Sequence, residues 1–360
     1  MFTLRLVELP MPTGSRNPDV LTSWILDSMG LIRRKPGQWG EEEKNGALHR
    51  ILREALLVDP LKGWNTNELG DVCGLSHTGT HHQISKLKSC GLVSNEIDGK
   101  WHVYVLRGGS ISAAVSLACS QARAILEIRL SELSELVNSS ESRMNVQAEE
   151  DSTFTITISE PGPRKDGKDS LDSFVYDLGL NGERSTKEDT LSRDLLFELS
   201  TRDQATTILS LSDRLSESRS RINRSIDRMR SAGLIERVPM VSRIPQDLFS
   251  GIMRQHAARG EEWLMSRGGL GRLHADVSGL LISEANSGTL TIEKVQKILS
   301  KVDIDTQRVL LNTIGGRMPY GVRISGSDAD AVSEKVLRNA DRTLRRLKSV
   351  SQRLDEALLQ

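Results

Sequence analysis

The stretch NTNELGDVCGLSHTGTHHQISKLKSCGLVSNEIDGKWHVYVLR, residues 65–107, carries the strongest structural pattern in the sequence. Its first part predicts helices over 67–73 and 77–90, because apolar residues recur on one face of each. The tight turn Gly74-Leu75-Ser76 separates them. Thr66 can cap the first helix, and the serine of the turn can cap the second. Two short helices joined by a tight turn are therefore expected.

The next residues predict a β-hairpin. Segments 92–97 and 101–106 alternate like strands, and Asp98-Gly99 between them is a strong signal for a two-residue hairpin turn. Ahead of the helix pair, 47–57 has the apolar spacing of another helix, which Pro60 ends. The expected order is therefore helix, helix, turn, helix and hairpin.

In this order, residues 45–107 resemble the winged helix-turn-helix domains of ArsR/MarR-like regulators. The resemblance implies that His77–Ser89 is a recognition helix in the major groove of DNA, and that 95–106 is a wing on the neighbouring backbone. The candidate DNA-contacting residues of this unit are His77, Thr78, His81, His82, Gln83, Lys86 and, on the wing, Lys100. The fixed charge of this set is modest, so the alternative is a winged helix that only binds protein.

A diverged copy of the pattern lies in the second half of the chain. A shift of 142 residues aligns 68–93 with 210–235 without a gap. The identical pairs include Leu69 with Leu211, Ser76 with Ser218, Ile84 with Ile226 and Gly91 with Gly233. Because the agreement falls on core and turn positions, the sequence predicts tandem winged helices.

The second recognition helix is expected over 218–231, and its outer face is rich in arginine. Its candidate DNA-contacting residues are Arg219, Ser220, Arg221, Asn223, Arg224 and Arg228. Arginine recognises guanine edges and asparagine recognises adenine, while further arginines can contact phosphates. The alternative is a solvated basic face that pairs with an acidic linker. The second wing is expected to be short or irregular, because 237–243 contains Pro239 and no hairpin glycine.

The complete domain prediction follows from these patterns. It comprises an N-terminal helical extension (1–44), a first winged helix (45–107), an amphipathic helix (108–137), an acidic linker (138–171) containing a short strand near 153–158, a second winged helix (172–244), a helical region of unassigned role (245–327) and a C-terminal amphipathic helix (328–360). The predicted class is mainly α with small β-wings, plus long amphipathic helices.

Helices 110–137 and 328–359 each have a continuous apolar stripe. In similar regulators a helix after the wing often pairs subunits, so both helices are candidates for a homodimer contact. The second stripe has a heptad-like spacing over three repeats. The alternative is that each stripe packs inside its own chain.

Composition excludes several classes of protein. The 48 basic and 48 acidic residues give a formal net charge of zero, so any DNA binding must come from locally segregated charge. No apolar run reaches the length of a membrane span, and three scattered cysteines are typical of buried thiols in a reducing cytoplasm. The common phosphate, nucleophile and zinc motifs do not occur, so no cofactor, metal or catalytic activity is expected.

The function that these features predict is sequence-specific binding of double-stranded DNA by a cytoplasmic transcriptional regulator. The rival is a structural or scaffold protein, such as a chromosome-organising or transcription-machinery accessory, whose winged helices bind protein partners. The arginine-rich second helix favours DNA, whereas the neutral net charge and the weakly charged first helix favour the rival.

Overall fold

The predicted class, mainly helical with small antiparallel sheets, is confirmed. The computed structural model describes residues 1–32, 46–149, 152–163, 170–182 and 189–360, and these contain three two-stranded sheets. Several predicted regions lie partly outside the described residues, namely the N-terminal extension at 33–44, the first winged helix at 45, the acidic linker at 150–151 and 164–169, and the second winged helix at 183–188.

The helix pair and the hairpin of residues 65–107 are confirmed in the first half of the chain. Its elements are, in order, β1 (Thr3–Val7), α1 (Pro18–Ser28), α2 (Ala47–Arg50, continued by a π-helical turn over Ile51–Leu56), α3 (Thr66–Cys73), α4 (His77–Ser89), β2 (Val93–Asp98), β3 (Trp101–Leu106) and α5 (Ile111–Ser131). The N-terminal extension is not purely helical as expected, because β1 precedes its helix.

Side-chain caps define the helix pair. Asn65 caps α3, and its side-chain oxygen accepts two backbone N–H groups at 3.0 and 2.9 Å. Gly74 ends α3 at a φ of 60°, and the Ser76 hydroxyl accepts a backbone N–H at 3.2 Å where α4 begins. The expected cap at Thr66 is wrong by one position, because the helix already begins there.

The second half repeats this order, with additional helices between the strands that correspond to the hairpin. Its elements are β4 (Thr155–Ser159), α6 (Ser170–Asp177), α7 (Leu191–Ser200), α8 (Ile208–Leu215), α9 (Arg219–Ser231), β5 (Ile235–Pro239), α10 (Ile244–Ser266), α11 (Ala275–Asn286), α12 (Ile292–Leu299), α13 (Ile304–Thr313), β6 (Tyr320–Ile324) and α14 (Ala329–Leu358).

Backbone hydrogen bonds fall at equivalent places in the two halves. The Arg107 N–H donates to the Leu92 carbonyl at 2.9 Å, and the Ser325 N–H donates to the Leu234 carbonyl at 3.0 Å. Leu92 and Leu234 are 142 residues apart, whereas Arg107 and Ser325 are 218 apart. The second half therefore contains an insertion between β5 and β6.

An isolated β-bridge also recurs in the two halves. Trp64, just before α3, bridges to Tyr104 of β3, and Thr206, just before α8, bridges to Val322 of β6. Trp64 and Thr206 are related by the shift of 142, and Tyr104 and Val322 by the shift of 218. Both halves therefore share one arrangement of helices and strands.

The insertion, α10 to α13, has a hydrophobic core of its own. Its buried residues form a cluster separate from the core of the two halves, with Ile252, Leu281, Val295 and Leu311 among them. The predicted boundary at residue 244 is therefore wrong, because the second half resumes at β6 after the insertion.

The second wing also differs from the prediction. β5 is a regular strand, but its partner is β6, which lies beyond the insertion. Pro239 is tolerated because it forms the last pair of the ladder, opposite Tyr320. The next residue, Met240, donates its N–H to the carbonyl of Pro319 at 2.8 Å, so the two ends of the insertion meet.

The two halves join through a sheet and a helix pair. β1 pairs antiparallel with β4, and the register places Arg5 opposite Thr157. α5 and α14 pack antiparallel, since the Asp355 carboxylate near the end of α14 accepts the Ile111 and Ser112 N–H groups at the start of α5. Both contacts tie residues that are far apart in the sequence into one core.

At the middle of the α5–α14 contact, the residues that face each other occupy equivalent positions in the two halves. Ser110 and Asp328 cap α5 and α14 in the same way, each accepting an N–H three residues further on. These caps are 218 residues apart, and so are Arg123 and Asp341, whose side chains meet at 2.7 Å between the two helices. A contact between equivalent residues marks an approximate twofold axis that relates the two halves.

Two glycines indicate that the same twofold axis passes through the sheet of β1 and β4. Gly30 follows α1 and packs against Arg5, and Gly179 follows α6 and packs against Thr157. A Cβ atom on either glycine would lie 2.7 Å from the Cβ of its strand neighbour, and both have a positive φ, 63° and 67°. Arg5 and Thr157, which face each other across the sheet, therefore occupy equivalent positions.

The apolar stripes of predicted helices 110–137 and 328–359 pack against each other within one chain. Their buried residues include Val115, Ala118, Ala122, Leu126, Val336, Ala340, Leu347 and Leu354. The homodimer prediction thereby loses the surface on which it was based, because each stripe is covered by the other.

One helical stretch in the described part of the chain, Ile111–Glu135, is long and apolar enough to cross a membrane by length and composition. The expectation that no stretch has this property is therefore wrong. Its buried residues lie in the main core, where α14 packs along α5, which is typical of a core helix in a soluble globular protein.

The segment predicted as a solvated acidic linker, 138–171, contributes to the core. Its strand is confirmed as β4, where Ile156 and Ile158 are buried, as is Phe154 just before it. The linker prediction is therefore wrong for these residues, because the apolar side of β4 lies under α5 and α6.

Arg143 anchors the same segment to the second half. The residue is 1% exposed, and its guanidinium donates to the carbonyls of Arg202, Ser327 and Ser200 at 2.8, 3.3 and 3.4 Å. Burial lowers the pKa of Arg143. A buried arginine of this kind satisfies backbone acceptors that no other described side chain reaches at these distances.

We expect Arg143→Ala to lower the free energy of unfolding by about 2–4 kcal/mol, because it removes three hydrogen bonds from a charged donor and leaves a cavity where the guanidinium is buried. Chemical denaturation followed by circular dichroism measures the change. Met144→Ala is the matched control, since Met144 is exposed beside it. Equal stability of the two variants would show that Arg143 is not an anchor.

We expect the two halves to fold without the insertion. Replacing 241–318 by Gly-Lys recreates the hairpin turn of the first half, and the free energy of unfolding should change by no more than about 1 kcal/mol, since closing a short loop costs little. Denaturation of the shortened chain tests this. An insoluble or non-cooperative product would mean that the insertion supports the main core.

Candidate nucleic-acid interface

Helix α4, which the sequence predicts to be a recognition helix, exposes its predicted contact residues to different degrees. Thr80, Ile84 and Leu87 are buried against the rest of the first half. Of the predicted contact residues, His77, Thr78, His81 and His82 are exposed, and Gln83 and Lys86 are half-buried. The exposed face therefore offers imidazole and hydroxyl groups, with the positive charge of Lys86 and Lys88 confined to its last turn.

The hairpin of β2 and β3 extends beyond the core and exposes both of its faces at the tip. Lys100 is exposed there, as predicted, and so are Trp101 and Ile97, at 60% and 74%. Trp101 was not a candidate from the sequence, because the alternation of its strand says nothing about where the hairpin leaves the core. Its position beside the Gly99 turn was the available signal.

In α9, four of the six predicted residues are exposed: Arg219, Ser220, Asn223 and Arg224. The Ser218 hydroxyl caps the helix by accepting the Arg221 N–H at 3.3 Å. On the opposite face Ile222, Ser225, Ile226 and Met229 are buried. The exposed four therefore occupy the first two turns, on the side away from the core.

Arg228 is not on the outer face. Its Nε donates to the carbonyl of Leu180 at 2.7 Å, and its guanidinium packs against Gly182, where a Cβ would lie 2.7 Å from Nη1. Desolvation by burial lowers the pKa of Arg228, and the nearby charge of Arg224 lowers it further. The predicted position of Arg228 on the outer face is therefore wrong, because the loop after α6 covers this edge of the helix.

Arg221 is half-buried between two carboxylates. It pairs with Glu217 one turn earlier and with Asp189 at 3.1 Å. The pair lies in a polar pocket of about 320 Å³ that Thr190 and Asp194 also line. Arg221 therefore differs from the exposed residues of α9, since both carboxylates hold its guanidinium at the side of the helix.

Several of the arginines between residues 219 and 254 form contacts inside the protein. Besides Arg221 and Arg228, Arg237 pairs with Glu149 at 3.5 Å and stacks on Tyr320, with its guanidinium carbon 4.2 Å from the ring centre. In contrast, neither Arg219 nor Arg224 pairs with a carboxylate in the described part of the chain. On the first two turns of α9, the positive charge that has no carboxylate partner therefore comes from these two arginines.

The cysteines are buried thiols, as predicted. Cys73, Cys90 and Cys119 are all buried, and burial raises the pKa of Cys73 to about 11 and of the other two to about 12. At neutral pH such thiols stay protonated and unreactive. Among the described residues, no group of three or more His, Cys, Asp or Glu side chains is placed to hold a metal ion.

No protein-family model matches this chain, and no curated protein or solved structure matches it.

Arg228 and Arg224 are expected to differ in what they stabilise. Arg228→Ala should lower the free energy of unfolding by about 1–2 kcal/mol, because it removes a charged donor from the Leu180 carbonyl. Arg224→Ala should leave stability unchanged, since its guanidinium bonds only the Ser220 carbonyl of its own helix in the described structure. Urea denaturation of both variants compares them. Equal losses would show that Arg228 has no anchoring role.

Proposed function

We propose that this chain binds double-stranded DNA sequence-specifically, as a cytoplasmic transcriptional regulator, through two winged helix-turn-helix units. The orders α2–α3–α4–β2–β3 and α7–α8–α9–β5–β6 support this proposal, because each leads from a capped two-helix turn into paired strands. In this arrangement α4 and α9 are the recognition helices.

The exposed face of α9 carries the proposal. Arg219, Ser220, Asn223 and Arg224 lie together on the first two turns, and a helix enters the major groove with such N-terminal residues against the base edges. Arg224 and Asn223 have the donor geometry for guanine and adenine, and Arg219 can contact phosphate.

The first unit contributes in a different way. The histidines, Thr78 and Gln83 of α4 are uncharged donors and acceptors for base edges, and Lys86 lies further along the same helix. The hairpin tip adds Lys100 and Trp101, which can lie against the backbone beside the groove. We assign no catalytic step to either unit.

A second candidate function is a scaffold whose two units bind protein. The observation that favours it is the internal use of Arg221 and Arg228, which leaves α9 with three arginines that pair with no carboxylate among the described residues (Arg219, Arg224 and Arg230), while α4 contains no arginine. A scaffold of this kind needs no phosphate contacts, so salt distinguishes the two functions.

We expect Arg224→Ala to weaken binding to a duplex selected from a random library by about 1–3 kcal/mol, the loss of one bidentate base contact. Fluorescence anisotropy measures the affinity. Arg308→Ala is the matched control, since Arg308 is an exposed arginine on α13, outside both recognition helices. If both variants bind like the parent, α9 does not recognise bases.

The salt dependence of the same titration should be moderate. Arg219, Lys86, Lys88 and Lys100 offer about three to four phosphate contacts, so the log–log slope of affinity against salt should be about −3. Affinity at several salt concentrations gives the slope. A flat response would contradict DNA binding and leave the scaffold function.

A further inference from the structure

The approximate twofold axis places the two recognition helices in a defined relation. Residues in the middle of β1 and β4, and in the middle of α5 and α14, face their own equivalents. A twofold rotation leaves the direction along its axis unchanged. Whatever α4 presents along that axis, α9 therefore presents to the same side of the molecule.

This relation fixes the orientation of the DNA that fits. A protein with twofold symmetry binds half-sites that are related by a twofold axis of the duplex, which means inverted half-sites. Direct repeats would require the two units to be related by translation along the duplex. The antiparallel pairing of β1 with β4 and of α5 with α14 excludes a pure translation.

The two recognition faces differ at equivalent positions. The caps Ser76 and Ser218 correspond, so His81 of α4 occupies the place of Asn223, and His82 the place of Arg224. Asparagine and arginine favour adenine and guanine, whereas histidine offers one ring donor or acceptor at each place. The two helices therefore favour different bases.

The centre of the molecule is also asymmetric. In a homodimer a residue on the twofold axis faces its own copy, so a charge there meets a like charge. Here Arg123 meets Asp341 at 2.7 Å, which is possible only because two different segments of one chain supply the two positions. The two halves therefore carry opposite charges at the axis, and a single chain supplies both of them.

The surfaces beside the recognition helices differ as well. The first half carries the hairpin tip with Lys100 and Trp101, and the second half carries the insertion between β5 and β6 at that place. Each half-site therefore meets a different neighbouring surface of the protein.

From these observations we infer that one copy of the chain binds one asymmetric DNA site, composed of two inverted half-sites of different sequence. This inference rests on the proposed function and specifies its DNA. The half-site under α9 contains the guanine and adenine contacts of Arg224 and Asn223, and the half-site under α4 does not.

The test is selection of bound duplexes from a random library by the full chain, followed by titration of four duplexes. These are the selected site, the two palindromes made by duplicating either half-site, and the same half-sites as a direct repeat. The selected site should bind best, with one chain per duplex by mass measurement. Each altered duplex should bind at least about tenfold more weakly, as expected for mismatched base pairs.

A variant with His81→Asn and His82→Arg makes the two recognition faces alike at these positions. Its preference should move towards the palindrome built from the α9 half-site, while the parent keeps the asymmetric site. The residues are exposed, so folding is unaffected and circular dichroism verifies it.

The results of the selection distinguish a failure of the inference from a failure of the proposed DNA binding. Selected sites that are palindromic, directly repeated or single, or two chains per duplex, would overturn the inference and leave DNA binding standing. No enrichment over the starting library would overturn the proposed function, and the inference with it.

Discussion

The antiparallel contact between α5 and α14 is the interaction on which the rest of the structure depends. It buries two apolar stripes that are more than 200 residues apart in the sequence. The elements around it cross over: α1 of the first half packs on α14 of the second, and Asp177 of α6 pairs with Arg129 of α5. Each half therefore needs the other half's long helix to complete its core, so the two halves form one folding unit and not two independent domains.

This shared core separates what must be conserved between the halves from what can vary. Caps, buried apolar positions and the glycines beside β1 and β4 recur, because they build the packing. The outer faces of α4 and α9 carry no packing and differ in charge. Even within α9, loops and carboxylates at its sides hold Arg228 and Arg221, so only part of the charge in its sequence reaches the surface. The formal net charge of zero for the whole chain therefore does not reveal the local positive charge on the exposed face of α9.

The sequence predicts the elements whose signals are local. Helix caps, Gly74 and the Asp98-Gly99 turn act within a few residues, so α3, α4 and the hairpin were predictable within one or two positions. An apolar stripe shows that a helix is buried but not against what, so α5 and α14 were identified without their partner. The pairing of β5 with β6 joins strands separated by an insertion, and no local signal announces it.

For the candidate site, too, the sequence predicts the local features and misses the contacts with distant segments. Helical spacing separates the inner from the outer face of α9, so Asn223 and Arg224 are found on the outside. It cannot show that a loop from residue 180 covers one edge, where Arg228 lies, or that Asp189 reaches Arg221. Arg143 had no signal at all, because the three carbonyls that make an arginine stable in the interior come from distant segments.

The distance between α5 and α14 along the chain has a consequence for synthesis of the protein. While a ribosome makes the chain, α5 emerges long before α14, and through most of translation its apolar stripe has no partner. An exposed stripe of this kind is a hazard for association with other nascent chains and a binding site for chaperones. The insertion, whose core is closed within itself, can fold during this interval. A chain released before α14 is made would therefore contain a folded insertion, α10 to α13, together with a first half in which the apolar stripe of α5 is still exposed.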